Sequence, residues 1–286
     1  MKLLKSHCTF GGQTQFWEHS SRITHSSMKF STFVPSGGIK GALIWLSGLT
    51  CNEENFITKA LAQKYLSALN LMIICPDTSP RGPHLPKYPK GYESWEKNWD
   101  FGEGAGFYVN ATTLGYRDYF HMYDYIHEEI VSLLIEQFAV SPHKISLMGH
   151  SMGGHGALVL GLREPTKFQS LSAFAPICHP IKSPWGQKAF LGYLGENEQS
   201  LWSQYDACCL MEEGYRHPYP ILLDQGLKDN FYQEGYLLPE DFIRACEKNG
   251  QELRVNFREN YDHSYFYIAT FIQEHIRFHG DALGLL

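Results

Sequence analysis

Lys144-Ile145-Ser146-Leu147-Met148-Gly149-His150-Ser151-Met152-Gly153-Gly154-His155-Gly156-Ala157-Leu158-Val159 is the stretch that decides the fold. Its first part reads as a buried strand running straight into Gly149, and a small-residue helix follows Ser151. The centre, Gly149-His150-Ser151-Met152-Gly153, matches Gly-x-Ser-x-Gly, the cramped strand-to-helix turn that points a serine Oγ outward. A side chain at 149 or 153 would collide with neighbouring backbone at such a turn. Gly154 and Gly156 let the helix approach the adjacent strand. Within a helix they cost about 1 kcal/mol each relative to alanine, which a purely structural turn seldom tolerates. Ser151 is the candidate nucleophile.

A neutral serine hydroxyl needs a base, and the base needs a carboxylate to hold its tautomer. The chain order that goes with this turn is Ser, then Asp or Glu, then His. Six histidines follow Ser151: His155, His179, His217, His263, His275 and His279. His155 lies inside the helix after the nucleophile, and His179 and His217 sit beside prolines. His275 and His279 are one turn apart on the last helix, expected to face solvent or partly cover the sheet. His263 follows the last strand, in Tyr261-Asp262-His263-Ser264-Tyr265, at the sheet end where a ligand crevice forms. For the carboxylate, Asp229 lies a few residues beyond the strand Ile221-Leu222-Leu223. Asp224, at that strand's end, is the alternative, whereas Asp262 is too close in sequence to reach the His263 ring.

The rest of the chain alternates short apolar runs with helical ones. Residues 6–35 read as two or three antiparallel strands turning at Gly11-Gly12. Gly41–Leu46 and Leu71–Cys75 are buried strands, with helical spacing over Phe56–Leu69 between them. Met122–Phe138 is an amphipathic helix. Further strands are expected near Ser170–Ala175, Pro220–Leu223 and Leu253–Phe257, and Tyr265–Phe278 closes the chain as a helix. Together these predict an α/β-hydrolase fold. Its central, mostly parallel β-sheet has helices on both faces and antiparallel strands at the N-terminal edge, and residues 1–286 form one domain. The stretch 77–117 is rich in Gly, Pro, Tyr and Trp without periodicity. It reads as a loop excursion over the active-site end.

Composition narrows the partners. The 286 residues are 43% hydrophobic and 19% charged, with net charge −6, which gives no reason to expect nucleic acid or an anionic membrane. No apolar window approaches the length of a membrane span, and the first residues lack the apolar stretch of a signal peptide. Seven cysteines fit no zinc or heme spacing, and adjacent Cys208-Cys209 would strain as a disulfide. Reduced thiols, and so a cytoplasmic location, are expected.

Several blocks together carry a resemblance. They are Trp45-Leu46-Ser47-Gly48-Leu49-Thr50-Cys51, Pro76-Asp77-Thr78-Ser79-Pro80-Arg81-Gly82, Gly104-Ala105-Gly106-Phe107-Tyr108, the Ser151 motif, Pro184-Trp185-Gly186-Gln187-Lys188-Ala189-Phe190, Asp224-Gln225-Gly226 and the His263 loop. From nearly end to end the chain resembles the S-formylglutathione hydrolase (esterase D) family. The resemblance implies a Ser151, Asp229 and His263 triad, with the backbone amides of Leu49 and Met152 forming the oxyanion hole. It puts Cys51 close to the site without making it the nucleophile, although a small buried hydrophobe is the commoner fate of a free cysteine. It puts Trp185 near a small acyl pocket, where a core aromatic is the competing reading. It also implies hydrolysis of a glutathione thioester through a formyl-serine, a role in formaldehyde detoxification, no metal or organic cofactor, and a homodimer.

The chain departs from the family's pattern at residues 84–99, a longer and more aromatic loop, at Thr113, where many members carry Gln, and over residues 114–119. These departures bear on substrate choice. Arg81 and Lys188 are candidates to bind the glutathione carboxylates. The alternatives are a general short-chain carboxylesterase or thioesterase using the same triad, an acyltransferase with a non-water acceptor, and a non-catalytic binding protein. The last usually lacks one of the three residues, and all three are present in order here.

Overall fold

The computed structural model describes residues 1–196 and 198–286. Its centre is a nine-stranded sheet in the order β1-β2-β3-β5-β4-β6-β7-β8-β9. The strands are β1 Lys2–Thr9, β2 Gly12–Ser20, β3 Ser27–Pro35, β4 Gly41–Leu46, β5 Leu71–Pro76, β6 Ile145–His150, β7 Leu171–Phe174, β8 Ile221–Gly226 and β9 Leu253–Arg258. β1, β2 and β3 pair antiparallel, and β3 joins β5 antiparallel. From β5 to β9 every pairing is parallel. The first hairpin turns at Phe10 and Gly11, both with positive φ (46° and 73°), a two-residue turn whose twist matches the strands.

The parallel strands explain their own apolar runs. β4, β5, β6 and β8 are buried at every position, as strands covered on both faces must be. The helices Glu53–Lys59, Gln63–Leu69 and Tyr265–Ala282 pack together as one group. Met152–Arg163 packs on β4, β6 and β7 and carries Ala207–Glu212, against which Pro239–Asn249 packs in turn.

Four expectations need correction. Phe56–Leu69 is two helices, because the chain leaves helical geometry at Leu61 (φ 56°) before Gln63 starts the second. The run Met122–Phe138 is helical throughout, but its middle, Tyr125–Ile130, is a π-turn. β8 extends to Gly226, which places Asp224 inside the strand, paired between Phe174 and Asn256. His275 and His279 are fully buried: His275 stacks on Phe174 at 3.7 Å, and His279 bonds Ser170 and Ser172, both at 2.7 Å.

The excursion 77–117 is mostly irregular, with short 3-10 turns at Glu93–Lys97 and Tyr116–Asp118. It is pinned where it matters. Gly104 O accepts from the Thr50 N–H (2.9 Å), and the Tyr108 hydroxyl donates to Ser47 O (2.9 Å), so it braces the loop after β4. Among the described residues no helix is long and apolar enough to cross a membrane, and all seven cysteines are free.

Three buried histidines make the fold acid-sensitive. Burial pushes His155 down to about 4, and burial also holds His150 and His279 well below the ordinary value of 6.5. Each is therefore neutral in the fold, while the unfolded chain takes up protons as pH drops below 6.5. Stability is complete above that value and is lost toward pH 4. His155 alone contributes on the order of 3 kcal/mol across this window. Urea unfolding midpoints should fall steadily between pH 7 and pH 4; a flat profile would contradict neutral burial.

Candidate active site

β6 ends at His150, and the helix Met152–Arg163 begins at the next residue but one, so Ser151 must turn the chain by itself. It does so at φ 58°, ψ −118°, a strained conformation held by its neighbours. The Ser151 N–H donates to Phe174 O (3.0 Å), and its carbonyl accepts from His155 (3.0 Å) and Ile177 (3.2 Å). The glycines are steric necessities: a Cβ on Gly149 would come 2.1 Å from Gly153 O, and one on Gly153 only 1.9 Å from Leu46 O.

Asp229 follows β8 and caps the short helix Asn230–Gln233, its Oδ1 accepting from the N–H groups of Phe231 (2.9 Å) and Tyr232 (3.4 Å). Its Oδ2 accepts from Gln225 Nε2 (3.2 Å) and from His263 Nδ1 (2.5 Å). The carboxylate is fully buried, so these donors replace its water. His263 comes into reach because Gly226 lets the loop 261–263 lie against the end of β8. A Cβ there would meet Tyr261 O at 2.5 Å. Lys228 N–H ties down the same loop by donating to Tyr261 O (2.8 Å).

With Nδ1 committed to Asp229, the other ring nitrogen of His263 is the one left for proton transfer. The ring is held on two more sides, by His150 at 4.3 Å between centroids and by Phe231 edge-on at 4.9 Å. Ser151 and His263 line one cavity of about 160 Å³ together with Leu49, Cys51, Trp99 and Trp185. Leu49 sits in the loop after β4, and Met152 is the first residue of its helix, where backbone N–H groups lack intrahelical acceptors.

Asp224 is occupied elsewhere. It accepts from Asn256 and from Arg258 Nε, each at 2.7 Å, and His275 Nε2 lies 3.5 Å away. Burial alone would raise its carboxyl, but the nearby His275 ring and the bonds from Arg258 and Asn256 outweigh that and hold it low. Asp262 caps the final helix through Ser264. His179 bonds Asp241 at 2.7 Å beside a different cavity. Burial raises the Cys51 thiol, so it stays protonated at neutral pH, a poor nucleophile beside the serine.

The two proposed carboxylate binders are already paired: Arg81 is forked onto Asp77 (2.8 and 2.9 Å), and the Lys188 ammonium donates to Asp100 Oδ1. Thr113 lies outside the cavity lining, its hydroxyl donating to Gly192 O at 2.7 Å. Sequence reading missed His150, Phe231 and Trp99. His150 lies inside the serine motif and Phe231 two residues past Asp229, so adjacency was the available signal. Trp99 had only its place in the aromatic excursion.

Gly153→Ala should lower stability by about 3 kcal/mol, because backbone on both sides must move. An unchanged urea midpoint would show that the turn is less tightly packed than these distances require.

The "Putative esterase" family model matches residues 21–278. The S-formylglutathione hydrolases of Rattus norvegicus and Mus musculus are 47% and 46% identical, each over 99% of this chain and 99% of theirs. The solved structure of an S-formylglutathione hydrolase from Agrobacterium tumefaciens superposes with a TM-score of 0.94 at 38% identity, covering 99% of this chain and 100% of that one. A serine-bearing elbow, an imidazole bound to a buried carboxylate at the same rim and similarity along the whole chain lead to one assignment: this chain belongs to the S-formylglutathione hydrolase family of esterases.

Proposed function

We propose that the chain hydrolyses S-formylglutathione to glutathione and formate, with Ser151 as nucleophile, His263 as base and acid, and Asp229 as its orienting carboxylate. The observation that carries this is the 2.5 Å bond from His263 to a fully buried Asp229, at a cavity that Ser151 also lines.

Ser151 Oγ attacks the formyl carbon while His263 takes its proton. The carbonyl oxygen becomes an oxyanion, held by the N–H groups of Leu49 and Met152. Met152 adds the positive end of its helix. Collapse breaks the C–S bond, and His263 returns the proton to the departing thiolate. Water then attacks the formyl-serine, giving its proton to His263, which passes it to Ser151 Oγ as formate leaves. Asp229 keeps the imidazole in one tautomer and stabilises its transient positive charge.

Cys51 and Trp185 form part of the wall around the acyl group. The same reading puts the enzyme in the cytoplasm, where seven free thiols persist, as a homodimer completing glutathione-dependent formaldehyde removal. The small apolar cavity would also accept short carboxylic esters, so formyl and acetyl thioesters should be compared by kcat/KM.

Purified protein given S-formylglutathione should release glutathione and formate in equal amounts. Ser151→Ala should fold normally and lose roughly 10⁴- to 10⁶-fold in kcat, and Asp229→Asn roughly 10⁴-fold. Near-normal turnover in either variant would remove that residue from the mechanism, and no thioester cleavage by the wild type would remove the substrate.

A further inference from the structure

Trp99, which lines the cavity with Ser151, belongs to a strap, residues 95–101, fastened to the helix Pro184–Leu194 that carries Trp185. Phe101 stacks on Tyr193 with centroids 4.4 Å apart. Lys188 pairs with Asp100 and lies over the Trp95 ring at 5.0 Å. Both partners of that ion pair are more than four-fifths buried, at 18% and 17% side-chain exposure, so solvent screens it weakly. Gly192 makes room for the strap: a Cβ there would lie 2.3 Å from Phe101 and 3.2 Å from the Trp95 ring. Thr113, from the same excursion, bonds the same helix at Gly192 O.

The product of this fastening is the position of Trp99. Its indole meets Trp185 edge to face at 5.8 Å and lines the cavity that holds Ser151, yet it is 53% exposed. Core packing does not account for a large apolar ring left half in water. On either side of it in sequence, Asn98 and Phe101 line a second, larger cavity of about 460 Å³, so the strap is a partition between two spaces. Trp185 is itself fixed by Phe231 (4.7 Å) and Tyr236 (4.5 Å), which leaves the Trp99 side as the boundary set by the strap.

We propose that Trp99 is a specificity-determining residue: with Trp185 it limits the length of the acyl group that can sit on Ser151, and the Asp100–Lys188 pair is the positioning element that holds it there. The proposal rests on the esterase reading of this cavity but not on the identity of the thiol. In a filled apolar pocket one methylene is worth roughly 10- to 200-fold in specificity. A wall of two indoles around about 160 Å³ therefore discriminates by length without any polar contact to the acyl chain.

The test uses p-nitrophenyl acetate, butyrate and hexanoate with the full-length enzyme. Trp99→Ala should raise the ratio of kcat/KM for butyrate over acetate by about tenfold or more, while Trp99→Phe should move it much less. Asp100→Asn should shift the ratio in the same direction, and Asp100→Glu should restore it. A merely structural contact would lower all three esters together. Trp99→Leu serves as a second truncation should the alanine variant unfold. An unchanged ratio in a folded Trp99→Ala or Trp99→Leu overturns the role of Trp99, and an unchanged ratio in Asp100→Asn overturns that of the ion pair. If the wild type spares S-formylglutathione while the ester ratios still move, the substrate assignment fails and this inference stands.

Discussion

Ser151 is held at φ 58°, ψ −118° because backbone from two neighbouring segments presses against Gly149 and Gly153 with no room for a Cβ. That close approach is the constraint from which the rest follows. It brings the start of the helix Met152–Arg163 against the ends of β4 and β6. The serine and the first helical N–H groups thus share the rim where the loop after β4 also arrives. A strained residue persists only where its surroundings over-determine it, and here the parallel strands do so.

The second anchor is electrostatic. A carboxylate removed from water must be repaid by donors, and Asp229 has a side-chain amide, two backbone N–H groups and an imidazole. The neighbouring strand carries another buried carboxylate, Asp224, satisfied by Arg258 and Asn256. The two differ in their partners: one holds a histidine at the cavity, and the other ties β8 to β9 and to the closing helix. Burial and charge alone would not have told them apart.

Much of this was legible in the sequence, for identifiable reasons. Parallel strands buried on both faces read as apolar runs, and chain order with strand ends pointed to His263 and Asp229, two residues that the structure brings into contact. What failed was local or long-range. One residue, Leu61, breaks an apolar periodicity that otherwise continues, and nothing in its side chain announces a positive φ. His275 and His279 look like a polar stripe, but serines on β7 and before it supply their partners from more than 100 positions away. Arg81 and Lys188 looked available for substrate because their acidic partners, Asp77 and Asp100, lie in an excursion without periodicity. Trp99 reaches the cavity by the same route.

Activation of Ser151 by the His263–Asp229 pair can be read out by reaction with a fluorophosphonate followed by peptide mass mapping. A single adduct is expected on the peptide containing Ser151, forming far more slowly when His263 is replaced by alanine. An adduct elsewhere, or a labelling rate indifferent to the loss of that imidazole, would contradict it.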